Sequence, residues 1–151
     1  MGQTSSSRHR LHELHGTRTH ENLKAAYALD AQACRMWAYF GRIAEIEGFP
    51  EVARAFRELA ESQVVFADGH LDFLMRAGDP IGDAQLGETA LNTRAARAAL
   101  VRDAEEDLPE MARTARAEGF MDIASWFDTL VEARASHARR LEDALHKMER
   151  G

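Results

Sequence analysis

The sequence predicts an all-α protein: a four-helix bundle made of two helical hairpins joined by a long crossover. The first supporting observation is a repeat. EGFPEVARAF at 47–56 returns as EGFMDIASWF at 118–127. Each copy lies between two long stretches of helical periodicity, which divides the chain into two helix–turn–helix halves. The second is composition. Alanine, arginine, glutamate and leucine dominate, and only 3 of 151 residues are proline, which leaves long windows of good helix formers. The third is the segment between the halves, which reads as a linker.

The first helix is expected from about Thr19 to Glu47, with Thr19 and Asn22 at its start and Gly48 as its stop. The second begins near Pro50, a favourable first-turn residue, and ends before Gly78. Its inward stripe reads Val52, Phe56, Leu59, Gln63, Phe66, His70 and Phe73, alternately four and three apart. The third spans about Glu88 to Glu118, and Pro109 within it should kink the helix. The fourth runs from about Met121 to the end, with the stripe Ile123, Phe127, Leu130, Arg134, His137, Leu141, Leu145 and Met148.

The EGFP and EGFM joints are tight and force antiparallel neighbours. The middle joint, Gly78 to Gly87, holds Asp79-Pro80 and three glycines. Ten extended residues reach ~33 Å, enough to return the chain along a bundle and leave the second and third helices parallel. Residues 1–18 read as a flexible polar tail and 19–150 as the bundle. His9, His12, His15 and His20 read with that solvated tail, the alternative being a soft divalent metal held by them if the segment became helical.

Charge excludes several classes of function. The net charge is −6, and acidic and basic residues interleave, so there is no basic stripe for nucleic acid. No apolar run approaches the ~18 residues of a membrane span. The opening MGQTSSSRHRLHELHG lacks the apolar core of a secretory signal. One cysteine, Cys34, excludes an internal disulfide and points to a reducing cytoplasm.

Two segments carry a family resemblance. GTRTHENLKAAYALDAQACRMWAYFGRIAEIEGFPEVARAFRELAE, with its Tyr39-Phe40 pair and E-G-F turn, resembles the opening of rubrerythrins of the ferritin-like superfamily. DLPEMARTARAEGFMDIASWFDTLVEARASHARRL resembles their second half, down to Pro109. The resemblance covers about residues 16–147. It implies a ferritin-like four-helix bundle and a two-iron centre. In that centre one glutamate comes from the first helix, an E-x-x-H from the second, paired glutamates from the third and an E-x-x-H from the fourth.

Position by position, the resemblance puts Asp30 at the first site, Gln63 and Phe66 at the second, Leu100 and Asp103 at the third, and Arg134 and His137 at the fourth. Hard iron ions need oxygen ligands that neutralise them, and Arg134 brings a cation instead. The expectation is a buried core polar cluster of Asp30, Gln63, Asp103, Arg134 and His137 with no cofactor. The alternative is iron or another divalent metal on Asp30, Asp103, His137 and His70. His70 lies seven residues after Gln63, on the same stripe, while Glu61 and Glu132 should face solvent. The functional expectation is a non-catalytic binding or assembly module, with an unknown protein or small-molecule partner. Its alternative is a rubrerythrin-type oxidoreductase acting on peroxide or oxygen through an atypical metal site. A homo-oligomer is expected, with no nucleic acid or membrane partner.

Overall fold

The computed structural model describes residues 13–77 and 87–150, and among them there is no strand. The helices are α1 (Arg18–Ile46), α2 (Pro50–Ala77), α3 (Thr89–Arg102), α4 (Leu108–Ala117) and α5 (Met121–Arg150), with a π-helical turn at Asp103–Asp107 between α3 and α4. This is the all-α ferritin-like helix set expected from the sequence. The chain forms two compact units, an α1–α2 hairpin and an α3–α5 hairpin. The expected crossover, 78–87, lies outside the described residues except for Gly87, as do His9 and His12.

The two repeat copies build the same turn. Gly48 and Gly119 have φ of +83° and +87°, a left-handed conformation that glycine adopts without a Cβ penalty. Phe49 N–H donates to Ala44 C=O at 2.8 Å, and Gly48 N–H donates to Glu45 C=O at 3.2 Å. In the second copy Phe120 N–H donates to Ala115 C=O at 2.8 Å, and Gly119 N–H donates to Arg116 C=O at 3.1 Å. Both pairs have the Schellman pattern, which satisfies the last carbonyls of the outgoing helix. The phenylalanine carbonyl then accepts the first bond of the next helix, from Ala53 at 2.9 Å and from Ala124 at 3.0 Å.

The helix start differs from the sequence expectation. Thr17, not Thr19, is the N-cap of α1, and its side chain accepts from His20 N–H. His20 is buried instead of lying with a solvated tail.

The seam inside each hairpin is made mostly of small residues. In the first hairpin the buried residues of α2 are Ala53, Ala60, Ala67 and Leu74. That set is one residue along from Val52, Leu59, Phe66 and Phe73, which are about half-exposed. Small side chains let the two backbones approach. A Cβ on Gly41 would stand 3.3 Å from the Ala53 carbonyl oxygen, so the bulkier apolar residues are displaced to the flanks. The second hairpin repeats the pattern with Ala104, Leu108, Ala112 and Ala115 against Ala124, Ala138 and Leu145.

Pro109 is accommodated by a π-helical turn. Leu108 N–H reaches back five residues to Asp103 C=O. Proline has no N–H, and its ring would clash with the carbonyl four residues back. One wider turn relieves that clash and opens α4 with Pro109 in its first turn.

Candidate functional site

In the first hairpin, Asp30 lies near the middle of α1, while Gln63, Phe66 and His70 lie on α2. The antiparallel register brings Asp30 and His70 together: His70 Nε2 is 3.0 Å from Asp30 Oδ2, with both side chains partly buried. A carboxylate beside an imidazole can orient the ring, hold a proton or offer two donor types to a divalent ion. Phe66, where the resemblance places a histidine, is about half-exposed. His70 stands one turn beyond it, so an imidazole is present at a shifted position. Cys34, one turn after Asp30, is a free, partly buried thiol.

In the second hairpin, the π-helical turn opens on Asp103. Arg134 of α5 places its Nε 3.4 Å from Asp103 Oδ2, and each side chain is 37% exposed. The contact is an ion pair without hydrogen-bond geometry, since Arg134 Nε is buried and has no hydrogen-bond partner. Within this hairpin the alanine seam takes the centre and leaves Arg134 on its flank, and His137 lies off the seam, whose position in that turn belongs to Ala138. Glu61 and Glu132 are exposed.

A feature not singled out from the sequence is the ion pair between Arg97 and Glu142, where Arg97 Nε and Glu142 Oε2 are buried. These two residues, with Glu105 and Arg139, edge an open cleft of about 340 Å³ floored by Val101, Ala104, Val131, Ala135 and Ala138. The available signal was small residues on facing helices between opposite charges. Several other arginines of this half pair on the surface, among them Arg94 with Glu149 at 3.1 Å and Arg113 with Glu110. Among the described residues, neither hairpin gathers three His, Cys, Asp or Glu side chains into a metal-holding group. No helix among them is long and apolar enough to cross a membrane.

The sequence model of the Rubrerythrin family matches residues 21–145. Rubrerythrin of Porphyromonas gingivalis is 33% identical over 142 residues, covering 90% of this chain and 70% of the relative. Rubrerythrin-1 of Clostridium acetobutylicum is 30% identical over 90% of this chain and 74% of its own length. Rubrerythrin of Nitratidesulfovibrio vulgaris is 31% identical over 91% of this chain and 74% of its own. These matches overturn the expectation of a protein without a cofactor: rubrerythrins are iron proteins, and iron was the alternative that accompanied that expectation. On a match that spans both hairpins, the chain belongs to the rubrerythrin family.

Proposed function

We propose that this rubrerythrin-type chain serves as a binding or assembly module, with its iron reduced from the family's two-ion centre to a single ion at the Asp30–His70 pair. The observation that carries the reading is the ion pair of Arg134 with Asp103. Arg134 stands where the family pattern has a carboxylate ligand, and its partner is one of the few carboxylates left. Of the seven pattern positions, Asp30, Asp103 and His137 alone have ligating side chains, while Gln63, Phe66, Leu100 and Arg134 hold none that suits iron. Two ferrous ions bring about +4, against which these carboxylates supply about −2 and Arg134 returns about +1. That donor set does not fit a two-ion centre.

One aspartate oxygen and one imidazole nitrogen leave most of an iron ion's coordination to water, so the ion is weakly held. Support for the binding role comes from the cleft at Arg97 and Glu142. Support for assembly with a second copy comes from large apolar side chains left exposed, Val65, Phe66 and Trp126 among them. The single cysteine suits a reducing cytoplasm.

The second reading is an oxidoreductase acting on peroxide or oxygen through an atypical metal site, and the Asp30–His70 contact favours it. Anaerobic ferrous titration of the full chain, followed by peroxide challenge, separates the two. The module reading expects no more than about one iron per chain, lost in His70→Ala, and peroxide consumption no faster than that of free ferrous ion. Combining Gln63→Glu, Phe66→His, Leu100→Glu and Arg134→Glu should raise the stoichiometry towards two. Two irons per unmodified chain with sustained turnover would overturn the module reading in favour of the enzyme.

A further inference from the structure

We propose that the cleft between α3 and α5 binds a small aliphatic zwitterion, with an ammonium and a carboxylate at opposite ends of a short hydrocarbon chain. The site belongs to the binding role proposed above and rests on that reading. Two residues of opposite charge, Glu105 and Arg139, edge the cleft. Both are exposed, and neither has an ion pair or side-chain hydrogen bond among the described residues.

The cleft is separate from the positions of the family pattern. Val101 and Ala104 follow Leu100 and Asp103 by one residue, and Ala135 and Ala138 follow Arg134 and His137 by one residue. One residue is about 100° around a helix, so the cleft lines a different face on both sides. Its floor is Val101, Ala104, Val131, Ala135 and Ala138. Alanine at three of these positions supplies the depth, and Ala104 and Ala138 are buried at the bottom. The volume of about 340 Å³ is at the small end of the range of about 300–1,000 Å³ for ligand clefts, which join apolar walls to a few placed polar groups.

The charges around the floor say what those groups would recognise. Asp128, Ala135, Glu142 and Glu149 are spaced by seven on α5 and share one face. The three carboxylates are met by arginines of the facing helices: Asp128 by Arg116, Glu142 by Arg97 and Glu149 by Arg94 at 3.1 Å. The remaining position, Ala135, carries no charge, and the cleft opens there. Arg97 and Glu142 close one end of it and are already paired, with His146 Nε2 also 3.4 Å from Glu142 Oε1. Of the four charged residues of the cleft, this leaves Glu105 and Arg139 for a ligand. Arg139 meets a carboxylate with its planar fork, Glu105 takes an ammonium, and the hydrocarbon between them covers the alanine and valine floor. A second copy of the protein does not fill this space. Set cleft to cleft, it would oppose one alanine floor to another and leave a void without contacts.

The test is methyl NMR on the full-length chain with labelled alanines, titrated at about pH 7, where the probes keep their charges. ε-Aminocaproate, which carries both charges, should shift the Ala104, Ala135 and Ala138 methyl signals saturably. Half-saturation on the order of millimolar is expected for so small a ligand in an open cleft. Caproate and hexylamine, with one charge each, should bind about two- to fivefold more weakly, the weight of one screened ion pair. Arg139→Gln should bring ε-aminocaproate down to the level of hexylamine, and Glu105→Gln to that of caproate. Exchanging both charges, Glu105→Arg with Arg139→Glu, should restore binding, because the probe can enter reversed. Absence of saturable shifts, equal binding of all three probes, or an unchanged response in Arg139→Gln overturns the proposal. So does sedimentation in which Arg139→Gln separates copies of the chain, since the cleft would then be an interface. Absent shifts in a chain that still takes up no more than about one iron would overturn this inference alone and leave the module reading standing.

Discussion

Replacing Asp103 with asparagine removes the carboxylate that Arg134 faces at 3.4 Å. At that separation the gross attraction is ~1.2 kcal/mol with the dielectric of water and ~5 kcal/mol at an effective dielectric of 20. Each side chain is 37% exposed, so water screens the pair and can rehydrate the guanidinium once it is left alone. The expected loss is about 0.2–1 kcal/mol, as for exposed pairs generally. For a chain of this size that is a fall in Tm of at most about 4 °C. Thermal unfolding followed by circular dichroism at low salt and at about 1 M salt provides the assay. The difference between Asp103→Asn and the parent should vanish at high salt, where the Debye length of about 3 Å is shorter than the contact. A salt-insensitive loss above about 3 kcal/mol would refute this reasoning, because a cost of that size belongs to a buried charge stranded without its partner.

The seam register is tested by a contrast between adjacent residues. Ala60→Leu forces a large side chain between α1 and α2 and should cost about 1–3 kcal/mol, whereas Leu59→Ala, at a half-exposed position, should cost roughly 1 kcal/mol. Urea denaturation that leaves Ala60→Leu as stable as the parent would move the seam back to the Leu59 stripe. The hydrogen bond from Lys24 holds the Glu21 carboxyl below its ordinary value. Lys24→Met should raise that value, as read from the Glu21 side-chain carbon shift against pH. The small stabilisation from this pair is present above the ordinary carboxylate pKa and fades as pH falls through the lowered one. No movement of the Glu21 titration in Lys24→Met would assign the lowering to another cause.

The sequence by itself determined the helices and the two hairpin turns. A helix and a Schellman turn are settled by residues within five or six positions of one another, and both E-G-F copies carry the needed glycine at the left-handed position. The resemblance at Tyr39-Phe40, E-G-F and Pro109 likewise identified the family that the comparisons show. The cap from Thr17 to His20 is also local, but the expected start lay at Thr19 and Asn22.

Only the tertiary structure decided which of two neighbouring stripes forms each seam. Adjacent residues on a helix differ by about 100°, and Phe66 and Ala67 both read as apolar. The choice depends on how closely the facing helix approaches, here at Gly41 and Ala53. The pairing of Asp30 with His70 and of Asp103 with Arg134 was settled in the same way. Those partners lie 40 and 31 residues apart, and charge alone does not say which meets which until the hairpin register fixes the distances.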